Sequence, residues 1–171
     1  LKTTPVIIGP ATLWLADAYR LTPNLSRFDA LYAATAYKIR TSGGGSYRKQ
    51  RKGMDQIAEE GLDQGFDVEI INPLQFGHVA VFCHNDQLHE LIPHLAGNFC
   101  RYSLSTWRKT NPQPVANKHF RPDSEIWLHA WQRGAEPIGS LAASARYWDG
   151  PAPRGANRYG HATPKPLGLM Q

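Results

Sequence analysis

The run His78-Val79-Ala80-Val81-Phe82-Cys83 decides the fold class, because it is a continuous apolar stretch without polar alternation. A strand of this composition is typical of a sheet that is covered on both faces, as in an α/β protein. Directly after it, Asn85 or Asp86 can cap a helix that runs through residues 88–95 and that Gly97 would end. The sequence therefore predicts a buried strand followed by a packed helix.

Working outward from this run, strands and helices alternate along the chain. Strand patterns cover residues 12–15, 28–32, 99–107 and 125–131, and helix patterns cover residues 18–21 and 56–62. Alternation of this kind predicts an α/β fold. From Pro137 onward Pro, Gly, Ser and Arg dominate. We therefore expect an α/β core over residues 1–136 and a loop-rich segment over residues 137–171.

The composition excludes several classes of protein. The 171 residues are 42% hydrophobic and 11% aromatic, which excludes a wholly disordered chain. No apolar run approaches the ~20 residues of a membrane helix, and no signal-peptide pattern opens the chain. The cysteines, Cys83 and Cys100, are too few for a disulfide scaffold or a zinc quartet. We expect a protein of a reducing compartment, the cytoplasm, with no membrane partner.

Positive charge is concentrated in two stretches. The chain carries 19 Lys and Arg against 14 Asp and Glu, a net charge of +5. Residues 40–52, the basic glycine loop, hold five basic residues and no acid, and so do residues 101–121. Such stretches indicate a polyanionic partner, with a solvated basic surface as the alternative.

Three short motifs do not support the chemistry that they suggest. His89 and His94 are five residues apart with Pro93 between them, whereas a zinc-protease helix needs a spacing of four. We therefore expect surface histidines here, and no metal site. Cys83 closes an apolar strand and is expected to be buried and inert. The glycines of residues 43–46 lack the spacing of a phosphate-binding loop.

Five segments, in order, carry a resemblance to a known family. They are residues 11–17, residues 28–31, the pair 107–114 and 123–131, and the string His161-Ala162-Thr163-Pro164-Lys165-Pro166. Together they resemble the amino-type DNA methyltransferases of the β motif order, the N6-adenine and N4-cytosine enzymes. The resemblance implies a Rossmann-like, three-layer sheet of the methyltransferase type, present in part. It also implies S-adenosylmethionine as cofactor, double-stranded DNA as substrate, adenine more than cytosine as the target base, and a prokaryotic or phage restriction-modification setting. It assigns cofactor contacts to Asp17, His161, Thr163, Lys165 and Pro166.

The chain departs from this family at the catalytic motif. Where the family has Asp-Pro-Pro-Tyr, this chain has Ala34-Thr35-Ala36-Tyr37. The family uses the carboxylate and a proline-held carbonyl to accept hydrogen bonds from the exocyclic amino group, and Ala34 has no acceptor. Loss of such a transition-state acceptor costs ~10²–10³ in rate. Tyr37 is kept, and the matching aromatic ring of the family stacks on the flipped-out base.

A second departure concerns the cofactor. The family continues past the Lys-Pro signature to a Gly-rich turn, and no such turn occurs before Gln171. We therefore expect binding of S-adenosylmethionine to be weak or lost.

Three functions remain open. The first is a catalytically silent methyltransferase-like protein that still associates with DNA, through the basic residues Arg48, Lys49, Arg51, Lys52, Arg108, Lys109, Lys118 and Arg121. The second is a fragment or an inactivated form of a genuine methyltransferase, which a chain that starts at Leu1 allows. The third is a protein that binds a partner, as a homodimer or with an active methyltransferase subunit. This last function would use the aromatic residues Tyr147, Trp148 and Tyr159, which we expect to be exposed.

Overall fold

A five-stranded mixed sheet forms the centre of the molecule in the computed structural model, which describes residues 4–41, 52–113, 120–135, 140–142, 144–155 and 163–170. The strands of this sheet are β3 (Phe28–Ala34), β4 (Phe76–Cys83), β5 (Arg101–Lys109), β6 (Ser124–Trp131) and β7 (Tyr147–Gly150). A separate hairpin pairs β1 (Val6–Ile8) with β2 (Ala11–Leu13). The helices are α1 (Ala18–Leu21), α2 (Lys52–Glu59), α3 (Leu88–Asn98) and α4 (Leu167–Met170).

The strand order is β3-β4-β6-β5-β7. β3 runs parallel to β4 and β5 runs parallel to β7, whereas β6 is antiparallel to both of its neighbours. Four strands therefore share one direction, and β6 alone among these five is reversed. The prediction of an α/β fold built around a central sheet is confirmed.

The predicted apolar strand is β4, and every residue in it except His78 is buried. Its Val79 and Val81 belong to the main core, together with Leu128 of β6. α3 packs Leu91 and Leu95 into this core, and both side chains are fully buried. Burial of such side chains is the main source of stability in a sheet-on-helix layer.

The start and end of α3 differ from the prediction. The turn at residues 85–87 is capped by His84, whose ring accepts a hydrogen bond from Asp86 N while Gln87 Oε1 accepts one from His84 N. The helix continues through Gly97 to Asn98, because Phe99 N still donates to Leu95 O. His94, expected at the surface, has a side chain only 9% exposed, with Nε2 3.0 Å from Ile71 O.

Strand boundaries also shift. β5 begins and ends two residues later than predicted, because its register with β6 pairs Arg101 with Trp131 and extends to Arg108. The predicted strand at residues 12–15 is shortened to β2, which pairs with β1 and is exposed along its whole length.

The segment expected to be loop contributes to the sheet. β7 lies beside β5, and Trp107 Nε1 donates to Gly150 O over 2.8 Å. The ring of Trp148 packs at 6.1 Å from that of Trp107, so Trp148 is half-buried and the prediction that it is exposed is wrong. Tyr147 is exposed as predicted, and Tyr159 lies outside the described residues. Among the helices of the described residues, none has the length and apolar character to cross a membrane.

Candidate functional site

A cavity of about 260 Å³ lies at the carboxyl end of β3. Two separate parts of the chain line it: the segment that follows β3 and the segment that precedes α4. The lining residues are Ala34, Thr35, Ala36, Tyr37, Ile39, Ile57, Leu62, Thr163, Pro164 and Lys165. Carboxyl ends of parallel strands are the usual place for ligand sites in α/β sheets. The structure thus brings the degenerate tetrapeptide and the Thr-Pro-Lys signature to one cavity.

The tetrapeptide is held by side-chain hydrogen bonds in place of prolines. Thr35 Oγ1 donates to Phe82 O over 2.9 Å, which ties the segment to the neighbouring strand β4. Gln87 Nε2 donates to Ala36 O over 3.1 Å, and Gln87 is itself buried. The backbone of this segment is therefore fixed from two sides.

Tyr37, Glu125 and Lys165 form one hydrogen-bonded cluster. Tyr37 Oη donates to Glu125 Oε2 over 2.9 Å and accepts from Lys165 Nζ over 2.7 Å. Lys165 Nζ also donates to Glu125 Oε2 over 2.6 Å. The same ammonium lies 4.7 Å from the ring centroid of Tyr37 and 5.0 Å from that of Phe82. Such distances place it within cation–π range of both rings.

A second ammonium joins the cluster from β5. Lys109 Nζ lies 2.9 Å from Glu125 Oε1, and the side chains of Lys109 and Glu125 are 17% and 18% exposed. Burial by itself would raise the pKa of Glu125, but Lys165 and Lys109 outweigh it and hold the pKa below its ordinary value. Burial, followed by the charge and hydrogen bond of Glu125, raises the pKa of Tyr37 far above its ordinary value. Burial lowers the pKa of Lys165, and the charge and hydrogen bond of Glu125 oppose this effect. With its lysines charged, the cluster sets two ammonium groups against one carboxylate.

Sequence reasoning missed two members of this site. Glu125 was expected only to open a strand, and Phe82 only to fill a core. The available signal is that Glu125 is the one acid in a strand that is otherwise apolar, aromatic or neutral, beginning at Ser124. Its partners lie 40 and 88 residues away in the chain, so no local pattern identifies them.

The residues assigned to the cofactor are only partly brought together. Thr163 and Lys165 line the cavity, and Pro166 next to them is buried. Asp17 is exposed, and its Oδ1 accepts a hydrogen bond from Tyr19 N as the cap of α1. His161 lies outside the described residues.

The residues assigned to DNA occupy different environments. Arg121 is exposed, and exposed Arg108 is paired with Asp149 of β7, with Nε 2.9 Å from Oδ1. Lys109 faces Glu125 inside the cluster. The stretch 101–121 has no acid in sequence, yet acids of the flanking strands lie beside it in space. Lys52 begins α2, and four residues lie outside the described part of the chain: Arg48, Lys49, Arg51 and Lys118.

Neither cysteine nor histidine chemistry adds to the site. Burial raises the pKa of the Cys83 thiol to about 11, so this thiol is inert near neutral pH. Within the described residues, no group of three or more His, Cys, Asp or Glu side chains is arranged to hold a metal ion.

Comparison with known proteins finds similarity in fold and no match in sequence. No protein-family model matches the chain, and no curated protein matches it in sequence. The crystal structure of the M1.HpyAVI–SAM complex is similar, with a TM-score of 0.54 and 19% identity over 91% of this chain and 71% of that chain. A crystal structure of M1.HpyAVI gives a TM-score of 0.43 and 15% identity over 79% of this chain and 63% of that chain. M1.HpyAVI is a DNA methyltransferase, and the likeness to its SAM complex shows that this chain has a methyltransferase-type α/β fold.

Proposed function

We propose that this protein associates with double-stranded DNA through a methyltransferase scaffold that does not transfer methyl groups. The observation that carries the proposal is Ala34, which ends β3 at the cavity without any hydrogen-bond acceptor in its side chain. By the family resemblance, its ancestors methylated the amino group of adenine.

Two hydroxyls flank the alanines, and each is held by hydrogen bonds to other groups. The hydroxyl of Thr35 donates to Phe82 O, and that of Tyr37 is engaged by Glu125 and Lys165. A reacting amino group would meet methyl groups at Ala34 and Ala36 instead of a carboxylate. Because one preorganised acceptor contributes ~10²–10³ in rate, its loss makes methylation very slow.

The cavity does not fit S-adenosylmethionine. The reactive group of this cofactor is a sulfonium cation, and the wall beside Tyr37 already holds the Lys165 ammonium in a cluster of net positive charge. Like charges repel, so a sulfonium brought beside this cluster is disfavoured. Asp17, the acid that the resemblance assigns to the cofactor, is employed as the cap of α1. We therefore assign no step of a reaction to this cofactor.

Association with DNA is supported by charge. The chain has a net charge of +5, and Arg108 and Arg121 are both exposed, although Arg108 is paired with Asp149. Arginine and lysine side chains that neutralise phosphates supply most of the affinity of non-specific DNA binding.

A methyl-transfer assay tests the claim that the scaffold does not transfer methyl groups. Protein is incubated with an adenine-containing duplex and S-adenosylmethionine that carries a labelled methyl group. We expect no label in the DNA above the level of a protein-free control. Restoring Asp-Pro-Pro at residues 34–36 is expected to leave the result unchanged, because the cofactor does not fit. Labelling of DNA by the unaltered chain would overturn the proposal.

A further inference from the structure

The cavity has an apolar wall where the family resemblance places the reacting amino group. Ala34 and Ala36 are joined there by Ile39, Ile57 and Leu62. Ile57 is 5% exposed and fixes the position of this wall. The volume of about 260 Å³ equals that of about nine liquid water molecules, which is comparable to the volume of a nucleic-acid base with some room to spare.

Side-chain polar groups of the tetrapeptide are already engaged. Thr35 donates to a carbonyl of β4, and Tyr37 both donates to Glu125 and accepts from Lys165. Even the carbonyl of Ala36 accepts a hydrogen bond, from Gln87. An unmodified amino group brought against the alanine, isoleucine and leucine side chains would lose water and meet no acceptor among them, which is unfavourable.

A methylated amino group differs from an unmodified one in both its hydrogen-bond donors and its apolar surface. Methylation removes one N–H donor and adds an apolar group that the alanine and isoleucine side chains can cover. We propose that the cavity binds a base whose exocyclic amino group is already methylated, as in N6-methyladenine or N4-methylcytosine of DNA. This inference rests on the proposed association with DNA. It makes the protein a reader of methylated bases, the products of the enzymes that its scaffold resembles.

Tyr37 supports the same ligand. Its ring lines the cavity, and its hydroxyl is fixed by Glu125 and Lys165, so the ring is held in one orientation. A flipped base can stack on an aromatic ring that is fixed in this way. Stacking is tolerant of base identity, so selection falls on the substituent that meets Ala34.

Fluorescence anisotropy with paired duplexes tests the inference. One pair differs only by N6-methylation of a central adenine and a second pair only by N4-methylation of a central cytosine, each base placed opposite an abasic site so that pairing strength is equal. For one of the pairs we expect the methylated duplex to bind about fourfold to tenfold more tightly, since burial of one methyl group contributes about fourfold. The pair that shows the preference identifies the base.

The Ala34→Asp variant is the matched control, because it returns an acceptor and removes apolar wall. We expect it to lose or reverse the preference for the methylated duplex. Ala34→Ser is used in the same way if circular dichroism shows that Ala34→Asp does not fold. If the folded variant still prefers the methylated duplex, the preference arises from the DNA and not from the cavity. That result would overturn the inference.

The outcomes separate this inference from the proposed function. Equal binding of methylated and unmethylated duplexes in both pairs overturns the inference and leaves DNA association standing. If no duplex binds, the proposed function fails. The cavity is then tested directly with N6-methyladenosine against adenosine by ligand-observed NMR, where equal signals from the two nucleosides overturn the inference as well.

Discussion

The ammonium of Lys165 donates a hydrogen bond to the hydroxyl of Tyr37 over 2.7 Å, although the two residues are 128 positions apart in the chain. Through this contact, and through Glu125, the segment before α4 is fixed to the segment after β3. The two parts of the degenerate site therefore depend on one another for their positions.

Removal of the Lys165 ammonium should destabilise the fold. In Lys165→Met, Glu125 keeps its contacts with Lys109 and Tyr37 but loses the 2.6 Å hydrogen bond from Lys165. The lost bond is buried, because the Lys165 side chain is only 9% exposed. We expect the free energy of unfolding in urea to fall by about 2 kcal/mol, as for a buried hydrogen bond to a charged group. Lys38→Met is the control, because the Lys38–Glu90 pair is largely exposed and should contribute nothing measurable. Equal losses in the two variants would contradict the account.

Stability should depend on acid pH through Glu125. Its pKa in the folded protein lies below the value of about 4.3 for an unfolded glutamate, so the carboxylate contributes stability above that pH. This contribution is lost as the pH falls from about 4.3 through the folded pKa. In urea titrations between pH 5 and pH 3, Glu125→Gln should therefore lose less stability than the unaltered chain. Glu59→Gln, a substitution at an exposed position on α2, should lose as much stability over this pH range as the unaltered chain does. Identical pH profiles for Glu125→Gln and the unaltered chain would refute this role.

The attachment of β7 can be tested at Gly150. A Cβ at this position would lie 2.0 Å from the Trp148 ring, which packs against Trp107. Gly150→Ala should thus force the ring to move and lower the free energy of unfolding by about 1–3 kcal/mol. Gly97→Ala is the matched control: it lies in α3 with no atom within 4 Å of its added Cβ, and should be neutral or stabilising. Thermal unfolding that shows no difference between the two variants would contradict the packing described for β7.

The sequence predicted the parts of the fold that depend on local pattern. The apolar run of β4 was recognised because burial on both faces leaves no polar residue in it except His78. The start of α3 was not, because a short turn over residues 85–87, capped by the ring of His84, precedes the helix, and Gln87 begins α3 without a side-chain cap. The register of β5 with β6 depends on contacts across the hairpin, so its bounds could not be read from residues 99–107.

The candidate site was predicted only where a motif carried it. Tyr37 and Lys165 were singled out by resemblance, and the structure places them together. Glu125 was missed because its importance arises from the pairing of β6 with β4 and β5, which brings it between two lysines. The same cross-strand pairing explains why the basic stretch 101–121 is less exposed to a polyanion than its composition indicates.

The salt dependence of DNA binding tests the central claim most directly. Filter binding of a duplex of about 20 base pairs is measured at several salt concentrations between 50 and 200 mM. If Lys and Arg side chains neutralise about five phosphates, the slope of log affinity against log salt is about −4 to −5, a loss of roughly 10³-fold over this range. Binding that is weak and insensitive to salt would contradict the claim that this protein associates with DNA.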